Sequence, residues 1–70
     1  MAYEHEVGMA IARSGNTEYI RSKLEMANRE RLVGIALVLD VPTTYYAEDV
    51  RTDMDLTEAE LRASIREQLA

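Results

Sequence analysis

Residues 31–40, RLVGIALVLD, decide the fold of this chain. Between its two charged ends this segment is apolar throughout, so a helix here has no polar face over more than two turns. A helix that is apolar on every side must be buried. A chain of 70 residues has barely enough protein to surround it, so either the other helices cover it or a second chain covers part of it. We favour the second arrangement and expect a homodimer whose interface contains Leu32, Val33, Gly34, Leu37 and Val38.

The composition indicates one folded domain over residues 1–70, because 47% of the residues are apolar and 30% are charged. Cysteine is absent, which excludes disulfides and thiolate sites and fits a reducing compartment. The longest apolar run is shorter than the roughly 20 residues that span a bilayer. We therefore expect a cytoplasmic protein that does not insert into a membrane.

The negative charge lies mostly in the second half of the chain. The net charge is −5, and residues 41–70 contribute −4 through seven acidic residues and three arginines. Nucleic-acid affinity depends on clustered Lys and Arg, so direct nucleic-acid binding is disfavoured. The charge is better suited to a protein partner with a basic or apolar surface.

Two helices are predicted before the apolar segment. Residues 2–13 carry apolar side chains at helical spacing, and Ser14-Gly15-Asn16 ends that helix. A second amphipathic helix begins after a cap at Asn16 or Thr17 and continues at least to Ala27.

The sequence leaves open whether the second helix continues through the apolar segment. Asn28 is a good N-cap for a separate helix over residues 29–40, whereas no Gly or Pro forces a break, so one helix over residues 17–40 is equally compatible. Pro42 disfavours helical geometry at Val41 and predicts an end near Asp40.

The C-terminal helix has the clearest signals. Thr57 and Glu60 form a capping box, and Leu56 and Leu61 are placed for a hydrophobic staple, so the helix should begin at residue 58. Before it, we expect a short helical turn in residues 43–49 and a charged connector in residues 50–55. The predicted fold is therefore all-α, a small bundle of three to four helices.

The sequence has no cofactor motif, no metal-spaced ligand set and no nucleophile with a plausible base, so we expect neither an enzyme nor a bound cofactor. His5 is flanked by two glutamates without a predicted pocket, and we interpret it as a surface residue. Asp49, Asp53 and Asp55 lack the central Gly and distal Glu of a calcium loop and indicate a solvated connector.

The candidate partner-binding residues lie in the acidic part. Tyr45 and Tyr46 are adjacent, so one should face the core and the other should be exposed and available to a partner. The stripe Leu61, Ile65 and Leu69 has the i, i+4 spacing of a helix that binds in a groove. The competing interpretation is that this stripe closes the core.

Residues 22–49 resemble the second half of a Cro/repressor-type helix-turn-helix domain. The similarity lies in the pattern L-x-x-I-A-x-x-L-x-V-P followed by a tyrosine-bearing turn, which here is Leu32, Ile35, Ala36, Leu39, Val41, Pro42 and Tyr45. If the resemblance extends to DNA reading, it implies groove contacts by Arg13, Thr17, Glu18, Arg21 and Lys23.

These observations order the function classes. The first is a small acidic helical regulator that acts by protein–protein binding, concretely an antirepressor-type inhibitor of a transcriptional repressor from a phage or other mobile element. The second is a Cro/repressor-like helix-turn-helix DNA-binding regulator. An enzyme is third.

Overall fold

The computed structural model describes residues 3–70 and contains four helices and one two-stranded sheet. The elements, in chain order, are α1 (Tyr3–Arg13), α2 (Thr17–Leu24), α3 (Arg29–Val38), β1 (Thr44–Ala47), β2 (Thr52–Asp55) and α4 (Glu58–Leu69). The predicted helical bundle is confirmed, whereas the all-α class is wrong because residues 44–55 form an antiparallel hairpin.

A glycine ends α1, and asparagine side chains cap the starts of α2 and α3. Gly15 has a φ of 71° and ends α1, and the Asn16 side chain accepts a hydrogen bond from the backbone N–H of Tyr19 at 3.0 Å. Asn28 does the same for α3 by accepting from the backbone N–H of Arg31 at 3.0 Å. Residues 17–40 are thus two helices.

The end of α3 is a Schellman motif. Asp40 has a φ of 60°, its N–H donates to the Leu37 carbonyl at 3.4 Å, and the Val41 N–H donates to the Ala36 carbonyl at 2.8 Å. Pro42 follows this motif and cannot continue a helix. The helix therefore ends just before the predicted position.

The hairpin replaces the helical turn and the charged connector predicted for residues 43–55. Its register pairs Thr44 with Asp55 and Ala47 with Thr52, and residues 48–51 form the loop. β1 consists largely of the strand-favouring residues Thr and Tyr, whereas β2 contains one such residue, Thr52, and two aspartates, which are depleted in strands.

The capping box of α4 is present as predicted. The Thr57 hydroxyl accepts from the Glu60 N–H at 3.2 Å, and the Glu60 carboxylate accepts from the Thr57 N–H at 2.9 Å. Arg62 then fastens α4 to the end of α2 by donating to the carbonyls of Leu24 at 2.7 Å and Ala27 at 3.0 Å.

The core is built around α3, which packs against α1 and α4. Leu32, Ile35 and Ala36 are completely buried. The whole core consists of Ile11, Ala12, Ile20, Leu24, Ala27, Leu32, Ile35, Ala36, Val41, Leu61 and Ile65.

The residues predicted for a dimer interface lie mostly inside the chain itself. Leu32 and Gly34 are buried, and Val33 and Val38 are half-buried and pack against the core. Leu37 is the exception, since 52% of it is exposed. Leu32 and Gly34 are thus covered within the chain itself, with α1 lying against Gly34. The homodimer stays a prediction.

Among residues 3–70, no helix is long and apolar enough to cross a membrane.

Candidate protein-interaction surface

The hairpin of residues 44–55 stands apart from the helical core. Seven of its eight strand residues are exposed, and Ala47 is half-buried. The hairpin is attached at its base, where the Leu56 N–H donates to the Thr43 carbonyl at 3.0 Å and Val41 enters the core. The helices therefore present this element to solvent.

One face of the hairpin is apolar. Tyr45 lies directly opposite Met54 in the register, and cross-strand partners share a face of the sheet. The exposed fraction is 47% for Tyr45 and 42% for Met54. The two side chains give this face a thioether beside an aromatic ring, a pairing with a favourable contact energy.

The other face combines an aromatic ring with carboxylates. Tyr46 is 60% exposed and lies opposite Asp53, while Thr44 lies opposite Asp55 on the same face. The prediction that one of the adjacent tyrosines enters the core is wrong. Side chains alternate between faces as expected, but the core covers neither face of this projecting sheet.

The hairpin is also strongly acidic. Residues 44–55 hold four carboxylates and one arginine, a net charge of −3. In the ion pairs formed among residues 3–70, the one hairpin carboxylate that takes part is Asp55, which lies 3.9 Å from Arg29. The negative potential around Tyr46 is thus largely uncompensated within this part of the chain.

Met54 and Val50 were missed by sequence reasoning. Val50 is exposed in the loop, and Met54 faces Tyr45. The available signal was confined to the first strand, where Thr44, Tyr45 and Tyr46 favour a strand. The second strand, TDMD, has one strand-favouring residue, so the position of Met54 opposite Tyr45 follows only from the register of the structure.

The predicted groove-binding stripe of α4 is not part of this surface. Leu61 and Ile65 are completely buried, and Leu69 is half-buried against the core. While α4 remains packed, a partner cannot reach the first two side chains. Leu61 and Ile65 therefore belong to the core, and Leu69 packs at its margin.

The candidate DNA-contacting residues form a separate exposed surface on α2 and the end of α1. Arg13, Thr17, Arg21 and Lys23 are all exposed. The Arg21 guanidinium donates to the Leu69 carbonyl at 3.4 Å, and the Lys23 ammonium lies 5.3 Å from the centroid of the Tyr19 ring.

A polar cluster joins the starts of α1 and α3. The Glu4 carboxylate accepts from Nδ2 of Asn28 at 2.8 Å and from Nε and Nη2 of Arg31 at 3.0 and 3.1 Å. The Arg31 and Asn28 hydrogen bonds hold the pKa of Glu4 below its ordinary value of 4.5. An open cleft of about 450 Å³ lies beside the cluster and is lined by Glu4, Asn28, Arg29, Glu30 and Glu58.

The lowered pKa of Glu4 predicts a pH-dependent contribution to stability. Because the folded state favours the ionised carboxylate, the contribution is fully present above pH 4.5 and is lost as the pH falls through the lower folded-state pKa. We expect Glu4→Gln to destabilise the protein at pH 7 and to be nearly neutral at strongly acidic pH. Urea unfolding across this range measures the difference.

The matched control is Glu6→Gln, since Glu6 lies exposed on the same helix and forms no ion pair within the described residues. An equal effect of Glu4→Gln at all pH values would contradict the ionic role of Glu4.

The cleft offers acceptors but no metal site. Across the described part of the chain, no group of three His, Asp or Glu side chains is arranged to hold a metal ion. His5 is half-buried on α1.

Comparisons of the chain with models of protein families, with curated proteins and with solved structures gave no match.

Proposed function

We propose that this chain is a small regulatory protein that acts by binding another protein through the hairpin of residues 44–55. The observation that carries the proposal is the exposure of Tyr45, Tyr46 and Met54 on an element that contributes almost nothing to the core. Tyr and Met are enriched at protein interfaces because they bury large apolar areas.

The energetics of the hairpin support this assignment. An isolated two-stranded hairpin is only marginally stable in water. Here the sheet has two strands and little packing against the helices, so its aromatic faces gain the most from a surface outside the chain. Its charge of −3 favours a partner with basic residues around the contact.

The concrete version of the proposal is an antirepressor-type inhibitor. A small acidic chain that resembles part of a repressor over residues 22–49 is suited to occupy a repressor surface that otherwise serves dimerisation or DNA binding. In this version the acidic hairpin competes with DNA for basic residues of the repressor.

The test first identifies the partner and then measures whether the chain inhibits its DNA binding. The purified chain is used to capture partners from its native host, and the captured protein is then assayed for operator binding with and without added chain. We expect a DNA-binding repressor whose operator affinity falls when the wild-type chain is added. The double variant Tyr45→Ser/Met54→Ser should lose both capture and inhibition.

The control variant is Tyr3→Ser, because Tyr3 is an exposed tyrosine that belongs to α1 and not to the hairpin. Both variants should retain helical circular dichroism, since neither changes a core residue. Undiminished capture by the hairpin variant would refute a hairpin-mediated function.

A Cro/repressor-like DNA-binding function is the second candidate. The observation that favours it is the exposure of Arg13, Thr17, Arg21 and Lys23 on consecutive helices joined by a short turn. Opposing it, α2 also exposes Glu18, and the whole chain has thirteen acidic and eight basic residues.

We expect the purified chain to show no salt-sensitive DNA binding, because phosphate contacts need a clustered basic surface. A gel-shift series at increasing salt concentration checks this. Steeply salt-dependent binding that is lost with Arg21→Ala or Lys23→Ala would make the second candidate the preferred function.

A further inference from the structure

The backbone of β1 offers an unoccupied row of hydrogen-bonding groups. The Thr43 carbonyl accepts from the Leu56 N–H, which makes these two residues a hydrogen-bonded pair. Such pairs alternate along an antiparallel ladder. In this register the backbone N–H and C=O groups of Tyr45 and Ala47 are therefore directed towards β2, and those of Thr44 and Tyr46 are directed away from it. In residues 3–70 the sheet has only two strands, and no third strand meets this row.

Among the devices that protect edge strands, the β1 edge has only its short length of four residues. Charged side chains, proline and bulges are the common devices that prevent a further strand from pairing. β1 has the sequence TYYA and a continuous register, so it has none of the three. The β2 edge, by contrast, carries Asp53 and Asp55, and Arg29 of α3 lies beside Asp55.

The Tyr46 ring and the Asp53 carboxylate beside the β1 edge favour a cationic side chain on an added strand. A new strand on β1 would lie next to Tyr46 and about 10 Å from Asp53, which is two strand spacings. An arginine on that strand and on that face can extend across the Tyr46 ring towards the Asp53 carboxylate. Cation–π contact and a charge-assisted hydrogen bond would then act on one side chain.

We propose that β1 accepts an extended, arginine-bearing segment of the protein partner as a third strand of the sheet. This inference rests on the proposed function and specifies the chemistry of its partner. A second copy of this chain is the less suitable occupant, because it would bring two hairpins of charge −3 into one sheet.

The probe is a ten-residue peptide with alternating Arg and Thr and blocked ends, compared with a peptide in which Glu replaces Arg. We expect the Arg peptide alone to bind in calorimetry and to slow amide hydrogen exchange at Thr44 and Tyr46. Tyr46→Ala should weaken binding about tenfold, and Asp53→Asn about fivefold at low salt. The control Asp49→Asn removes the same charge from the loop and should change affinity less than about twofold.

N-methylated peptides test the strand addition directly. In an antiparallel addition the Arg residues on the Tyr46 face direct their N–H groups at β1, whereas in a parallel addition the Thr residues do so. Methylating one of these two sets should abolish binding, and methylating the other should leave it. Binding that survives both methylations, or that leaves Thr44 and Tyr46 exchange unchanged, overturns the edge addition.

Two further results separate this inference from the proposed function. If the native partner is captured through the hairpin but the Arg peptide does not bind, the inference fails and the proposed function stands. If sedimentation shows self-association that slows exchange at Thr44 and Tyr46, a second copy occupies the edge and the inference is wrong.

Discussion

Gly34→Ala is expected to lower the free energy of unfolding by about 3 kcal/mol or more, at the upper end of overpacking effects. A Cβ at this position would meet the backbone carbonyl oxygen of His5 and would lie 3.0 Å from the backbone nitrogen of Met9. These are backbone atoms of α1, so they cannot move aside as a flexible side chain can. Accommodation requires α1 and α3 to separate along their whole contact.

Gly8 lies on the α1 side of the same contact and faces the backbone of α3. A Cβ there would meet the backbone oxygen of Arg31 and would lie 2.8 Å from its carbonyl carbon. Gly8→Ala should therefore destabilise the protein by a similar amount. The two glycines allow the helix backbones to approach each other closely, which only residues without a Cβ permit.

Gly15→Ala is the matched control, because Gly15 has a φ of 71° and open space around the position of its Cβ. It should cost about 1 kcal/mol from left-handed backbone strain alone. Urea unfolding of the three variants measures the contrast. A Gly34→Ala effect no larger than that of Gly15→Ala would mean that α1 and α3 are not in tight backbone contact.

The helical part of the fold could be predicted from local chemistry. The capping box at Thr57 and Glu60 determines where α4 begins, and the side chain of Asn28 determines where α3 begins. These signals act through hydrogen bonds between residues three apart, so the sequence contains them in full. The break between α2 and α3 stayed undecided because it also depends on Arg62, which reaches the end of α2 from α4.

The hairpin was not predicted because it depends on pairing between two strands and not on local capping signals. Residues 43–49 contain an alanine and acidic residues that also suit a helical turn, and the strand-favouring residues are concentrated in β1, while β2 has the sequence TDMD. Arg51 closes that loop with a φ of 53°, a conformation that Arg rarely adopts and that the sequence does not announce. The register therefore becomes visible only in three dimensions.

Gly34 illustrates how a correct local inference can be given the wrong partner. Gly34 was predicted to lie in the interface with a second chain, and the structure brings it into tight contact with α1 of the same chain. The sequence could not identify the second helix, because α1 lies more than twenty residues away in the chain. Leu32 and Gly34, which were predicted for the interface, are buried within the chain.

The candidate site was predicted in part. The exposure of a tyrosine was expected from the adjacency of Tyr45 and Tyr46, but the opposing residues Met54 and Asp53 depend on the register. The register decides which residues share a face of the sheet. Without it, the sequence does not separate the apolar face from the acidic one.

The stripe of α4 gives the second large effect. Leu61→Ala and Ile65→Ala should each lower the free energy of unfolding by about 2–5 kcal/mol, because each removes a completely buried side chain from a close-packed core. Leu69→Ala should cost less, since Leu69 is half-buried near the end of the helix. Denaturant unfolding monitored by circular dichroism measures all three.

This gradient separates a core role from a binding role. A helix that binds in a partner's groove would carry three comparable anchors, whose truncation weakens the complex and leaves the isolated chain stable. The control Gln68→Ala changes an exposed residue of the same helix and should stay within about 0.5 kcal/mol of the wild type. Since a chain of this length has a total stability of only about 4–10 kcal/mol, Leu61→Ala or Ile65→Ala should leave a measurable unfolded population. If Leu61→Ala and Ile65→Ala have the same free energy of unfolding as the wild type but no longer bind the partner, α4 is a binding helix and not part of the core.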